Sequence, residues 1–118
     1  MKTQIKKAGD TMVVSMEGRL NFEAQEPLRQ DLTRLVSQSK RDVVPQKIIV
    51  NLENLEFVGS SGISAFVQTM KEFNQRAPTR PRYVNVSSEF QRVMKAFDES
   101  GVFEFYDNEA KAKDSFSN

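Results

Sequence analysis

The sequence contains no cysteine and no histidine. The missing cysteines exclude a disulfide framework and a catalytic thiol, and without either residue a Cys/His zinc site is also excluded. A Ser-His-Asp triad and a histidine proton shuttle are excluded for the same reason. Enzymatic chemistry is limited to carboxylates, Lys, Tyr or an unaided Ser. We therefore expect a protein that is not an enzyme and that needs neither a metal nor another cofactor.

The sequence also lacks a long apolar run and an excess of charge of one sign. No apolar run approaches the length of a transmembrane helix, and no basic-then-apolar leader precedes the first predicted strand, so we expect a cytoplasmic protein without direct membrane insertion. The 17 Lys and Arg against 16 Asp and Glu leave a formal net charge of +1, which favours no nucleic-acid partner. The 118 residues, 38% of them hydrophobic, suit one domain with a core.

The first half of the chain predicts a hairpin followed by a helix. Alternating apolar residues predict strands at Thr3–Lys7 and Thr11–Leu20, joined antiparallel by a turn at 8–10. Gly18 indicates a bulge or a close backbone approach within the second strand. An apolar stripe at helical spacing follows, and because proline is tolerated only in a first turn, this helix should start near Gln25.

The second half alternates between strands and helices. The predicted strands are Lys47–Leu52, Arg82–Val86 and Val102–Tyr106. One predicted helix follows the glycines and serines after the third strand, and Ser88 with Gln91 predicts a capping box that opens the other. Because strands joined through helices run parallel, we predict an α/β fold with a mixed sheet, an antiparallel first hairpin and helices packed on it. Residues 1–110 form this single domain, and 111–118 are a polar tail, either a frayed helix or disordered.

The run Val58-Gly59-Ser60-Ser61-Gly62 stands where the third strand passes to a helix. Backbone N–H groups are unpaired at a helix N-terminus and the helix dipole is positive there, so a phosphate, free or attached to Ser, would be stabilised. A serine that simply caps the helix is the alternative, and the two roles are compatible because there are two serines. A hydrolase nucleophile elbow is excluded, since Ile63 breaks the G-x-S-x-G spacing and no histidine is present.

Two carboxylates, Glu53 and Glu56, precede the serines. Paired carboxylates can hold Mg²⁺ or act as an acid and a base, and solvated surface carboxylates are the alternative. Without a further ligand in the motif, we expect no metal site here.

Three stretches of the chain together resemble a STAS domain, the fold of bacterial anti-sigma factor antagonists. Val13–Asn21 resembles the family's second strand with its Gly-x-Leu-Asp ending. Ile48–Ile63 resembles its third strand followed by Asp-Ser-Ser-Gly-Leu/Ile, and Tyr83–Tyr106 resembles its later strand, helix and short closing strand. The resemblance covers about residues 3 to 110.

The resemblance implies a phosphorylation switch. In this family the unphosphorylated antagonist binds an anti-sigma factor that is a Ser/Thr kinase, and this binding releases a sigma factor. The kinase phosphorylates the second Ser of the motif, which corresponds to Ser61 with Ser60 beside it, and the complex then dissociates. A phosphatase is a further implied partner. The implied contact surface consists of Leu20, Asn21, Phe22, Gly59, Ser60, Ser61, Gly62, Ile63 and Ser64.

Two positions depart from the family's pattern. Asn21 and Gly59 stand where the family has aspartates, so two carboxylates near the serines are missing. An alternative within the same family is an unphosphorylated accessory subunit that docks on a membrane transporter for lipids, for which the basic region Lys71–Arg82 suits an anionic neighbour. A small enzyme or nucleotide-binding domain is disfavoured, because the sequence has no His, no Cys and no phosphate-binding glycine loop.

Overall fold

A five-stranded sheet organises the chain. The computed structural model describes residues 2–20, 22–39, 47–57, 60–77, 79–98 and 101–116. The strands lie in the order β1-β2-β3-β4-β5, in which β1 and β2 pair antiparallel and every later pair is parallel. The predicted mixed sheet with an antiparallel first hairpin is therefore confirmed. The strands are β1 (Lys2–Ala8), β2 (Thr11–Leu20), β3 (Lys47–Phe57), β4 (Arg82–Val84) and β5 (Glu104–Tyr106).

Four α-helices cover the two faces of this sheet unequally. They are α1 (Gln25–Ser39), preceded by a 3₁₀ turn at Phe22–Ala24, α2 (Ser60–Arg76), α3 (Ser88–Ala96) and α4 (Glu109–Ser115). The first three pack on one face, where alternate residues of β2 and β3 meet their apolar stripes in the main core. The short α4 packs on the opposite face, over β3, β4 and β5. The predicted start of α1 at Gln25 is confirmed.

The hairpin turn is tighter than predicted. Ala8 pairs with Thr11, so the turn consists of Gly9 and Asp10 alone, and Gly9 has the positive φ of 62° that such a turn favours in glycine. The turn is also tied to the start of β3. The backbone N–H of Lys47 donates to the carbonyl of Asp10 at 3.1 Å, and its ammonium lies 3.0 Å from the Asp10 carboxylate. The hydrogen bond from Lys47 lowers the pKa of Asp10 below its ordinary value.

β3 is longer than the predicted strand, which ended at Leu52. It continues to Phe57 because its second half pairs with the end of β2. Ser15 pairs with Asn51 whereas Glu17 pairs with Asn54, so β3 contains one extra residue and forms a bulge at this place. Gly18, with a φ of 106°, lies directly after the irregular step. The irregularity predicted near Gly18 is therefore present, and the extra residue belongs to the neighbouring strand.

The structure also corrects the prediction around α3. Ser87, one residue before the predicted opening at Ser88, is the N-cap, because its hydroxyl accepts the backbone N–H of Phe90. Gln91 donates from its side-chain amide to the carbonyl of Val86 instead of closing a box with Ser88. β4 ends at Val84, two residues earlier than predicted, and Asn85 has a positive φ of 56°.

The polar end of the chain is ordered where the structure describes it. Of the two alternatives left open by the sequence, a helix is present, and the boundary expected at 110 falls inside α4. Asn108 caps this helix by accepting the backbone N–H of Lys111 at 2.9 Å. Ala112 is fully buried against Ile49 and Val84, so α4 is part of the packed domain.

Candidate functional site

The two serines lie at the carboxyl end of the parallel strands. β2 and β3 end side by side, with Leu20 paired to Phe57, and the chain then enters α2 at Ser60. Ser60 and Ser61 therefore occupy the first turn of α2, next to the end of β2. At this end of an α/β sheet the loops are not constrained by the strand ladder, and ligands and partners commonly bind there.

The expected contact residues divide into exposed and buried ones. Ser64 is exposed on α2, whereas the side chains of Leu20 and Ile63 have exposed fractions of 0% and 5% and belong to the core. Leu20 and Ile63 thus support the site from below and present no side-chain surface to a partner. Phe22 begins the 3₁₀ turn, and Gly62 follows the serines in the first turn of α2. Asn21 and Gly59 lie outside the described residues.

The surface around the serines carries little charge. The first turn of α2 contains no acidic residue, and the first charged residue along this helix is Lys71. Ser64 and Gln68, which share one side of α2 with Lys71, are exposed and neutral. On the sheet side, Glu56 is exposed and pairs in register with Arg19 of β2. An added phosphate would therefore dominate the local electrostatics, with the positive end of the α2 dipole beside it.

The two glutamates considered in the sequence do not form a metal site. Glu53 and Glu56 are both exposed on β3, where Glu53 follows the extra residue of the bulge. Among the residues that the structure describes, no group of three or more His, Cys, Asp or Glu residues converges in a way that would hold a metal ion. The pocket between α1 and α2, lined by Leu32, Phe73 and the residues around them, has a volume of about 10 Å³. That space admits roughly one water molecule.

A buried polar cluster lies toward the far end of α2. The Tyr83 hydroxyl donates to the side-chain carbonyl of Asn74 at 2.8 Å, and the Asn74 amide donates to the carbonyl of Val102. Burial, with a smaller contribution from the charge of Asp98, raises the pKa of Tyr83 well above its ordinary value. Asn74 is about 20 Å along the helix axis from Ser61, so this cluster is separate from the serine end.

The basic region Lys71–Arg82 does not form one surface. The Lys71 ammonium donates to the carbonyl of Phe97 at 2.7 Å, and Arg76 lines an open groove between α1 and α2 together with Arg29. Arg82 points to the opposite face of the sheet, where it contacts Glu104 of β5 at 3.2 Å. The continuous anionic contact expected from these residues is therefore not supported by their placement.

The sequence gave no indication of the network centred on Arg82. Its Nε donates to the Ser115 hydroxyl at 3.1 Å, one of its NH groups donates to the carbonyl of Arg80, and its guanidinium lies 4.2 Å from the centre of the Phe116 ring. These contacts attach α4 to the sheet. A basic residue at a strand start followed much later by an aromatic residue in a polar tail is too weak a pattern to predict such a contact.

Comparison with solved structures supports the fold. An anti-sigma factor antagonist from Mycobacterium paratuberculosis is 19% identical, with a TM-score of 0.73, over 99% of this chain and 94% of that one. The unphosphorylated form of the anti-sigma factor antagonist SpoIIAA is 25% identical, with a TM-score of 0.67, over 98% of this chain and 96% of that one. The transporter SLC26A9 matches 92% of this chain with 20% of its own length, at 16% identity and a TM-score of 0.67.

Family comparison covers nearly the whole chain. A search of curated proteins found no match. In the part of the chain that the structure describes, no helix has the length and apolarity needed to cross a membrane. The model of the STAS domain matches residues 2–112, which include every strand and the first half of α4. This chain therefore belongs to the STAS domain family.

Proposed function

We propose that this protein is an anti-sigma factor antagonist whose binding to its partner is switched by phosphorylation of Ser61. STAS domains of the antagonist type are non-catalytic, so the function rests on protein binding. The proposed partner is an anti-sigma factor that is also a Ser/Thr kinase, and its capture would release a sigma factor. The observation that carries the proposal is the position of Ser61 in the first turn of α2, at the exposed end of the sheet.

The charge distribution supports a switch at this position. Ser64 and Gln68 present a neutral exposed surface on α2, and Lys71 is the nearest charge along the helix. A phosphate adds about −1.5 to −2 charges at neutral pH. A partner surface shaped for a neutral hydroxyl would lose its contacts and meet an unpaired charge, so the complex would dissociate.

The same placement would keep the phosphorylated domain folded. A negative charge near the N-terminus of a helix interacts favourably with the helix dipole and with the unpaired N–H groups of the first turn. Because no carboxylate occupies the first turn of α2, no neighbour in that turn repels the phosphate. Phosphorylation would thus change partner binding while leaving the stability of the domain nearly unchanged.

The family aspartates replaced by Asn21 and Gly59 bear on the same switch. Their absence removes two negative charges from the sequence on either side of the site. A kinase that recognises this protein would therefore read the serines without these carboxylates. Glu56, which is exposed on β3 five residues before Ser61, is the described carboxylate nearest to the serines in the sequence.

The proposal is tested by affinity capture from the cells in which the protein occurs. The baits are the wild type, Ser61→Asp and the matched control Ser64→Asp, which places the same charge one turn further along α2. We expect the wild type to recover an ATP-dependent Ser/Thr kinase and Ser61→Asp to lose it, with melting temperatures within a few degrees. Equal recovery of that kinase by the wild type and Ser61→Asp would contradict the switch.

A second function is favoured by the similarity to part of SLC26A9, which shows that this fold also occurs within a transporter chain. In that case the protein would be an accessory subunit that docks on a membrane transporter, and Ser60 or Ser61 would only cap α2. The same capture separates the two functions. Recovery of one transporter complex by all three baits, without a kinase, would replace the antagonist function by the transport function.

A further inference from the structure

The outer edge of β1 is a free strand edge among the residues that the structure describes. β1 is the first strand of the sheet order, has seven residues and pairs only with β2. Ala8 and Thr11 flank a two-residue turn and therefore form a hydrogen-bonded pair, and such pairs alternate along an antiparallel ladder. By this alternation Thr3, Ile5 and Lys7 direct their backbone N–H and C=O groups outward, away from β2.

The side chains of β1 give this edge a positive charge. The strand contains Lys2, Lys6 and Lys7 and no carboxylate. Lys2 lies opposite Glu17, but Lys6 and Lys7 lie opposite Val13 and Met12 and have no carboxylate across the strand pair. None of the ion pairs found among the described residues involves these lysines.

An apolar side chain stands at the centre of the same edge. Ile5 is 46% exposed and is one of two large hydrophobic residues exposed in the described part of the chain. It lies between Thr3 and Lys7 on the face of β1 that is turned toward the helices, because it pairs with the buried Val14. A strand added beside β1 would cover this side chain.

We propose that β1 binds an extended, acidic segment of a partner protein, which adds a sixth strand to the sheet. The outward backbone groups would pair with the segment, its carboxylates would face Lys6 and Lys7, and an apolar residue would cover Ile5. A second copy of this chain does not fit, since antiparallel pairing of two β1 edges would place six lysines on one ribbon without a carboxylate between them. This surface is separate from the serine end, so the proposal does not depend on the proposed function.

The test uses the full chain labelled with ¹⁵N and two synthetic peptides. The acidic peptide, Thr-Glu-Glu-Val-Thr-Val-Glu, places Glu opposite each lysine and Val opposite Ile5 in an antiparallel register. The neutral control peptide has Gln in place of each Glu. We expect the acidic peptide to bind about tenfold more tightly, through exposed ion pairs of modest strength. The amide shifts and the slowed hydrogen exchange should be confined to β1, above all to Thr3, Ile5 and Lys7.

Two variants test the strand pairing and the charge separately. Thr3→Pro removes an outward N–H that β2 does not use, so it should weaken peptide binding about tenfold or more, while its control Thr3→Val should bind like the wild type. The double variant Lys6→Gln/Lys7→Gln should abolish the preference for the acidic peptide. Equal binding of the two peptides, no shifts in β1 at millimolar peptide, or tight binding by Thr3→Pro would each overturn the proposal.

Discussion

Replacement of Arg82 by alanine should weaken the attachment of α4 to the sheet. Arg82 has a side-chain exposed fraction of 14%, and it joins β4 to β5 and to the last turn of α4 through Glu104, Ser115 and Phe116. The partly buried ion pair, the hydrogen bond and the cation–π contact each contribute on the order of 1 kcal/mol. Because they share one side chain, their effects are not additive, and we expect Arg82→Ala to lower the free energy of unfolding by about 2 kcal/mol.

Urea unfolding followed by far-ultraviolet circular dichroism measures this loss. The control is Arg92→Ala, which removes the same charge from the exposed side of α3 and should stay within about 0.5 kcal/mol of the wild type. Phe116→Leu, which keeps an apolar side chain but removes the ring, should cost about 1 kcal/mol. Hydrogen exchange should accelerate first in α4. If Arg82→Ala loses no more stability than Arg92→Ala, the contacts of Arg82 do not hold the helix.

Two further predictions concern a helix cap and a buried hydroxyl. Ser87→Ala should lower the free energy of unfolding by about 1 kcal/mol because it removes the cap of α3, whereas Ser88→Ala should be nearly neutral; the reverse order in urea unfolding would restore Ser88 as the cap. Burial raises the pKa of Tyr83 above its ordinary value of 10.0, so its contribution to stability is complete below that pH and is lost as the pH rises above it. Thermal unfolding of the wild type should therefore fall more steeply above pH 10.0 than that of Tyr83→Phe, and parallel curves would show that Tyr83 ionises without unfolding the protein.

The sheet could be predicted from sequence because its central strands have strong patterns. Ile48–Val50 is apolar on both faces, and β2 alternates regularly, so strand type and order follow. The second half of β3 could not be predicted, since Glu53, Asn54 and Glu56 have the polarity of a loop. They form a strand because β2 extends far enough to pair with them, which is a property of the register and not of the local sequence.

The candidate site shows the same limit. The Gly and Ser residues at a strand-to-helix boundary were sufficient to place Ser61 in the first turn of α2. Sequence alone did not separate supporting residues from surface residues, because Leu20 and Ile63 are close to the serines in the sequence and yet point into the core. Phe97, expected on the apolar face of α3, is 43% exposed because α3 ends at Ala96 and the chain turns away there.

Phosphorylation of the purified protein by its captured partner tests the central claim most directly. The partner is incubated with the wild type and ATP, the phosphate is located by mass spectrometry, and the complex is followed by size-exclusion chromatography. The proposed switch predicts phosphate on Ser61 and dissociation of the complex, with Ser61→Ala remaining bound in the presence of ATP. A complex that persists after Ser61 is phosphorylated, or that dissociates equally with Ser61→Ala, would contradict it.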